Sequence, residues 1–149
     1  MTRLVLLFLH LLGASVWVGG HLILVIRILP KAMKNKEVES ILAFEKNYEP
    51  IGIPALLTQV ITGILLALHV GIGPELWFSF SNPVEKVISV KLLLLLATAA
   101  LAIHARFFII PKLSRENLPY LASHIITVSI LSLGFVLMGL IIRMGGLSG

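Results

Sequence analysis

Four long stretches with few or no charged residues constrain the fold of this chain more than any other feature. The ranges 4–26, 51–74 and 118–142 contain no Asp, Glu, Lys or Arg, and the range 87–105 is interrupted only by Lys91. About 20 apolar residues cross the hydrocarbon core of a bilayer as an α-helix, which satisfies its own backbone hydrogen bonds there. The sequence therefore predicts four transmembrane helices, near 3–29, 51–72, 85–110 and 119–143.

The composition supports a location in the membrane. The chain is 58% hydrophobic and only 13% charged, whereas about 25% of the residues in a soluble domain are charged. So few charges cannot cover a water-facing surface. The first apolar run is longer than the core of a cleaved signal peptide, which is about 7–15 residues, so we expect it to remain as a span. We predict one domain over 1–149, an all-α, integral membrane, antiparallel four-helix bundle surrounded by the lipid bilayer.

Basic residues concentrate at one end of the predicted bundle. The connections between helices 1 and 2 and between helices 3 and 4, with their edges, carry Arg27, Lys31, Lys34, Lys36, Lys46, Arg106, Lys112 and Arg115. The opposite side carries Arg3, Lys86 and Arg143. The positive-inside rule places basic loops in the cytoplasm. We therefore expect an inner (cytoplasmic) membrane protein with both termini outside, and we call the two ends of the bundle the basic end and the terminal end.

The five histidines sort into two depths of the predicted bundle. They are His10 and His69, with Lys91, toward the terminal end, and His21, His104 and His124 toward the basic end. On a helix with 100° per residue, the step from His10 to His21 returns to within about 20° of the same face and rises about 16 Å. Trp17 shares that face. Because ionisable groups in hydrocarbon are costly and usually functional, the pattern predicts imidazoles at two heights in the bundle interior.

Each of these residues also has a purely structural interpretation. His69 and His124 lie near predicted helix ends, where an imidazole can sit among lipid headgroups. Trp17 can serve packing alone. The long side chain of Lys91 can reach outward to the membrane interface.

Three chemistries suit neutral histidines in the core of a bundle. These are axial ligation of haem, coordination of copper or zinc, and relay of protons. The absence of Cys excludes disulfides, iron–sulfur clusters and thiol catalysis.

The distribution of carboxylates favours haem. By the predicted helix limits, every acidic residue lies in a loop or at a helix edge: Glu37, Glu39, Glu45, Glu49, Glu75, Glu85 and Glu116. A dication bound by histidines alone would keep its full charge in a low dielectric. Haem b brings a dianionic porphyrin and two propionates, which Lys91, Lys86 or Arg3 can meet. Monovalent copper bound by histidine remains an alternative.

The first helix resembles that of two related membrane protein families, the copper-resistance protein D (CopD-like) family and the HemJ-type protoporphyrinogen oxidases. The similarity rests on His10, Trp17, Gly19, Gly20, Arg27 and Pro30. It continues in EKNYEPIGIPALLTQVITGILLAL (45–68), SVKLLLL (89–95), RFFIIPKL (106–113) and RENLP (115–119). HemJ-type proteins are four-helix haem b proteins that require the histidine of the first helix and the lysine of the third. The resemblance therefore implies functional roles for His10 and Lys91, and the CopD-like family implies an association with copper uptake.

These observations lead to three hypotheses. The first is a membrane electron-transfer protein in which His10 and His69 ligate a haem b, Trp17 lies beside it, and Lys91 meets a propionate or serves as an alternative axial ligand. The second is a copper-binding or copper-transporting protein, with the metal held by the inner set of His21, His104 and His124; a second haem there would use the same residues. The third is a HemJ-like protoporphyrinogen oxidase. Whether the redox partner is a protein or a quinone, and whether the chain forms a homo-oligomer, are questions that the sequence leaves open.

Overall fold

The chain folds as a bundle of four long helices in the computed structural model, which describes residues 1–147. The helices are α1 (Thr2–Asn35), α2 (Glu39–His69), α3 (Pro83–Lys112) and α4 (Leu118–Arg143), and each is long and apolar enough to span a membrane. No strand occurs within residues 1–147. The predicted all-α, four-helix membrane architecture is confirmed.

The helices at the basic end are longer than the sequence suggested. α2 begins at Glu39, well before the predicted residue 51, and Pro50 and Pro54 lie inside it. The predicted start near 51 followed from the charge-free range 51–74, which charged residues precede. The added turns instead form an amphipathic extension whose Ile41 is buried in the core. Lys36, with φ 53°, makes the tight left-handed turn between α1 and α2.

Two π-helical turns interrupt the helices at the basic end. One spans Leu24–Ile28 in α1 and the other spans Ala105–Ile109 in α3, and each is followed within two residues by a proline, Pro30 or Pro111. A proline has no amide hydrogen, and its ring clashes with the carbonyl group four residues earlier. A π turn relieves this conflict without ending the helix. Both turns lie directly after a histidine-bearing segment.

Asn82 caps the start of α3 at the terminal end. Its Oδ1 accepts hydrogen bonds from the amides of Val84, at 3.0 Å, and Glu85, at 2.9 Å. The buried carboxylate of Glu85 in turn accepts from Asn82 Nδ2 at 2.6 Å and from the hydroxyl of Ser79. This reciprocal arrangement satisfies amide donors that the first turn cannot pair.

The helices form an arc that leaves one seam loosely packed. α1 lies against both α2 and α4, and α3 packs on α4, whereas α2 and α3 barely touch. The α1–α2 contact is close, because a Cβ built at Gly13 would lie 2.7 Å from the carbonyl oxygen of Ala55. The basic end is closed by an apolar cluster of Leu29, Ala32, Ile41, Ile109, Leu118, Leu121, Ala122 and Ile125. The α2–α3 seam above this cluster is therefore where the interior is accessible.

Polar and apolar side chains are distributed as expected for a bundle in lipid. Ser89, Thr98 and Ser132 are fully buried, while Ile61 and Ile130 are more than half exposed. Ser89 and Ser132 each donate to the carbonyl group four residues earlier, at 2.9 and 2.8 Å. Small hydroxylated residues allow helices to approach closely in a bilayer, and the exposed isoleucines face the region that lipid chains would occupy.

Candidate functional site

An interior cavity of about 320 Å³ lies between the four helices toward the basic end. Most of its wall is apolar, and all four helices contribute to it. The aromatic and imidazole side chains that line it are Trp17, His21, Phe44, Tyr48, Phe107 and His124. Its volume is within the range of about 300–1,000 Å³ of small-molecule sites. Two of the three inner histidines predicted from the sequence, His21 and His124, thus border a space that a ligand can occupy.

Trp17, His21 and Tyr48 form one wall of the cavity. The rings of Trp17 and His21 are tilted at 45° with centroids 4.4 Å apart, and Tyr48 meets His21 edge-on at 6.3 Å. His21 Nδ1 lies 2.9 Å from the carbonyl oxygen of Trp17. Because a carbonyl group only accepts, Nδ1 carries the hydrogen, and Nε2 of the neutral ring keeps its lone pair. His21 therefore contributes a hydrogen-bond acceptor or a metal ligand.

Tyr48 is held in a slot between two glycines. Its hydroxyl donates to the carbonyl oxygen of Val16 at 2.9 Å. A Cβ at Gly20 of α1 would overlap the Tyr48 ring, and one at Gly52 of α2 would lie 3.0 Å from its Cζ. Tyr48 was not among the predicted site residues, since it fell in the segment expected to be a loop. The available signal was the pair of glycines, Gly20 on the facing helix α1 and Gly52 one turn after Tyr48 on α2.

The indole nitrogen of Trp17 has no hydrogen-bond acceptor among residues 1–147. Trp17 is 8% exposed, and its Nε1 is a buried donor without a partner. Buried tryptophan N–H groups usually find a partner, and leaving a buried donor unpaired costs about 1–3 kcal/mol. An acceptor on a bound ligand would remove that cost.

His104 and His124 form a hydrogen-bonded pair on the α3–α4 side. His124 Nδ1 donates to the carbonyl oxygen of Tyr120 at 3.1 Å, so its Nε2 accepts from His104 Nδ1 at 3.0 Å when both rings are neutral. The rings stack at 5.1 Å and 19°. The structure thus brings together two of the three inner histidines, and a proton can be exchanged between them.

Acidic residues border the cavity, contrary to the expectation that they lie in loops or at helix edges. Glu45 and Glu49, one turn apart on α2, line the cavity, as does Arg106 of α3. Arg106 Nη1 and Glu49 Oε2 form an ion pair at 3.1 Å. These three residues also line an adjoining groove of about 530 Å³. The ion pair therefore bridges the seam where α2 and α3 separate. The expectation failed because α2 starts twelve residues before the predicted limit, at Glu39 rather than 51.

His10 is oriented at the terminal-end layer by contacts with α2. Its Nδ1 lies 3.0 Å from the carbonyl oxygen of Gln59 and 3.0 Å from Thr62 Oγ1. Thr62 gives its own hydrogen to Thr58 at 2.6 Å, so Nδ1 is the donor to both atoms and Nε2 keeps its lone pair. Gly63 makes room for the ring, since a Cβ there would lie 3.2 Å from His10 Cε1.

Lys91 of α3 lies near His10. It is half-buried, and among residues 1–147 no carboxylate forms an ion pair with it. A positive charge inside a membrane bundle is costly unless it is paired. The environment of Lys91 therefore favours an anionic partner from outside the described chain.

His69 is not brought against His10. It is exposed and lies six residues after Gly63, or about 9 Å along the helix axis. Lys91 lies near His10, whereas the position on α2 that His10 contacts lies deeper in the bundle than His69. The use of His69 as a second ligand stays a prediction without a geometric argument.

The inner histidines do not form a ready metal centre. Within the part of the chain that the structure describes, no group of three His, Cys, Asp or Glu side chains is close enough to hold a metal ion. His104 and His124 bond to each other, and His21 stands apart on the α1 wall of the cavity. The copper hypothesis for this set has no support from the geometry.

Comparison of the chain with protein-family models, with curated proteins and with solved structures found no significant match.

Proposed function

We propose that this chain is a haem b-binding redox protein of the membrane, with the haem at the layer of His10 and Lys91. The observation that supports it most is the hydrogen bonding of His10, whose Nδ1–H is directed at the Gln59 carbonyl oxygen and Thr62 hydroxyl. Histidines that ligate metals usually donate their other ring N–H to such a group, which fixes the tautomer and the ring orientation. His10 Nε2 would then ligate the haem iron.

Lys91 supplies the second argument for this proposal. Its ammonium group lies near His10 and has no carboxylate partner in residues 1–147. Haem b carries two propionates, and one of them would pair with this ammonium. The donor set therefore fits the cofactor, with an imidazole for the iron and a cation for the acidic edge of the macrocycle.

When bound, the haem would supply one-electron transfer. The chain itself would orient the His10 ring through Gln59 and Thr62 and pair the Lys91 ammonium group with a haem propionate. The apolar helix faces would exclude water. The only oxidoreductase activity that we propose for this chain is this transfer of electrons.

Optical spectra of the purified full-length protein test the proposal. We expect a Soret band that shifts on reduction with dithionite and is lost in His10→Ala. Lys91→Gln should lower haem content more than Arg143→Gln, a control cation at the same end. The proposal is refuted if the wild-type protein, expressed with added haem precursor, shows no Soret band. In that event no electron-transfer role remains for His10.

His69→Ala is the informative comparison for the second axial position. His69 is exposed, and within residues 1–147 it makes no hydrogen bond to His10. We therefore expect the His69→Ala protein to keep the haem spectrum of the wild type. Loss of the Soret band in this variant would indicate that His69 is the second ligand of the iron, as the sequence suggested.

A second candidate uses the same two residues in a different reaction. The resemblance to HemJ-type protoporphyrinogen oxidases implies that His10 and Lys91 are required, and the proximity of the two residues supports this candidate. Rescue of a strain lacking protoporphyrinogen oxidase would support this function. Failure of rescue, with the haem spectrum intact, would leave electron transfer as the proposed role.

A further inference from the structure

The interior cavity is a separate site from the layer of His10 and Lys91. The polar groups on its wall indicate which chemical class of ligand would bind there. Two residues of its wall are relevant: Trp17 has a buried Nε1–H without an acceptor among residues 1–147, and His21 keeps an Nε2 lone pair because its Nδ1 donates to the Trp17 carbonyl oxygen. The rest of the wall is largely aromatic and aliphatic, and its charged residues, Glu45, Glu49 and Arg106, lie where the cavity adjoins the groove at the α2–α3 seam. A ligand that fits should therefore be apolar, with one group that accepts a hydrogen bond and one that can donate.

Other classes of ligand match this wall less well. A lipid acyl chain would leave both Trp17 Nε1 and His21 Nε2 without partners. A metal cation lacks a group of three ligating side chains within residues 1–147. An anion would have to pass Glu45 and Glu49, which line the cavity with Arg106 as the neighbouring cation.

We infer that this cavity binds the head group of a lipid-soluble quinone, with Trp17 Nε1–H donating to a carbonyl oxygen and His21 Nε2 accepting from a hydroxyl of the reduced form. A quinone is flat and uncharged, and it accepts hydrogen bonds when oxidised and donates them when reduced. The rings of Trp17 and Phe44 on the cavity wall offer apolar surface for such a head group. The cavity volume of about 320 Å³ suits a single substituted ring.

The α2–α3 seam provides the path by which such a ligand reaches the cavity. The groove of about 530 Å³ shares Ile53, Arg106 and Ile110 with the cavity, so the two spaces adjoin. The ion pair across the seam is weakly held, since the Arg106 side chain is 51% exposed. The isoprenoid tail would extend through this seam into the surrounding lipid.

Fluorescence of Trp17 reports binding directly, because the chain contains only two tryptophans. The full-length Trp77→Phe protein in detergent leaves Trp17 as its sole indole. On titration with a short-chain ubiquinone we expect quenching that saturates. The Trp17→Phe protein, which retains Trp77, should show only the linear quenching of a quinone dissolved in the micelle. Far-UV circular dichroism confirms that both variants are folded.

His21 and Gly19 provide a matched test of the wall. His21→Leu in the Trp77→Phe background should weaken apparent affinity for the reduced quinone about three- to tenfold, the effect of one lost hydrogen bond. Gly19→Ala should change nothing, since a Cβ there meets no atom within 4 Å. Linear quenching of Trp17, equal saturation with Trp77 as the reporter, or unaltered affinity of His21→Leu for the reduced quinone would each overturn the inference.

The inference does not depend on the haem proposal. Quinone binding is measured by quenching and haem by its absorption band. A protein that binds quinone but shows no Soret band would therefore refute the haem and support the quinone site.

Discussion

Replacement of Gly20 by Ala tests how tightly Tyr48 of α2 packs against α1. A Cβ at Gly20 would overlap the Tyr48 ring, whereas one at the neighbouring Gly19 meets no atom within 4 Å. Overpacking of this kind costs about 1–3 kcal/mol. Alanine is favoured over glycine inside a helix by about 1 kcal/mol, and this gain is common to both substitutions. The difference in unfolding free energy between Gly19→Ala and Gly20→Ala should therefore be about 1–3 kcal/mol.

The measurement is an unfolding titration in mixed micelles, followed by far-UV circular dichroism. Gly19→Ala should unfold at the wild-type denaturant concentration or above it, and Gly20→Ala below it. In a Tyr48→Ala background the obstructing ring is gone, so Gly20→Ala should lose most of its cost, which is the coupling expected for residues in contact. Equal stability of the two glycine variants, or an undiminished cost in the Tyr48→Ala background, would refute the reasoning.

Three further predictions use the same titration. Asn82→Ala should lower stability by about 0.5–2 kcal/mol through loss of the α3 cap, while Asn82→Ser retains an acceptor; an equal loss in both would mean that the cap is not the cause. His104→Phe removes the donor to His124 Nε2 and should cost about 0.5–1.5 kcal/mol, and unchanged stability would contradict the pairing. Arg106→Gln should change stability by less than about 1 kcal/mol, because its ion pair with Glu49 is largely solvated. A larger loss would mean that the ion pair holds α2 and α3 together.

Much of the candidate site depended on helix limits that hydropathy does not reveal. The stretch Glu39–Pro50 is too polar to read as a membrane span, yet it continues α2 because its apolar face packs on the core at Ile41. Glu45, Tyr48 and Glu49 were therefore expected in a loop and instead line the cavity. A helix extension outside the bilayer is stabilised by tertiary packing, which leaves only a weak trace in the sequence.

The sequence by itself determined that this chain forms four helices long and apolar enough to cross a membrane, and it predicted that the histidines lie at two depths. Both follow from distance along a helix, which rises by a constant step per residue. Only the tertiary structure decided which side chains meet. Depth depends on position along one helix, whereas the rotation of a helix is set by the helices packed against it. That packing pairs His104 with His124 and leaves His69 exposed. It also places Trp17 and His21 beside a cavity that opens where α2 and α3 separate.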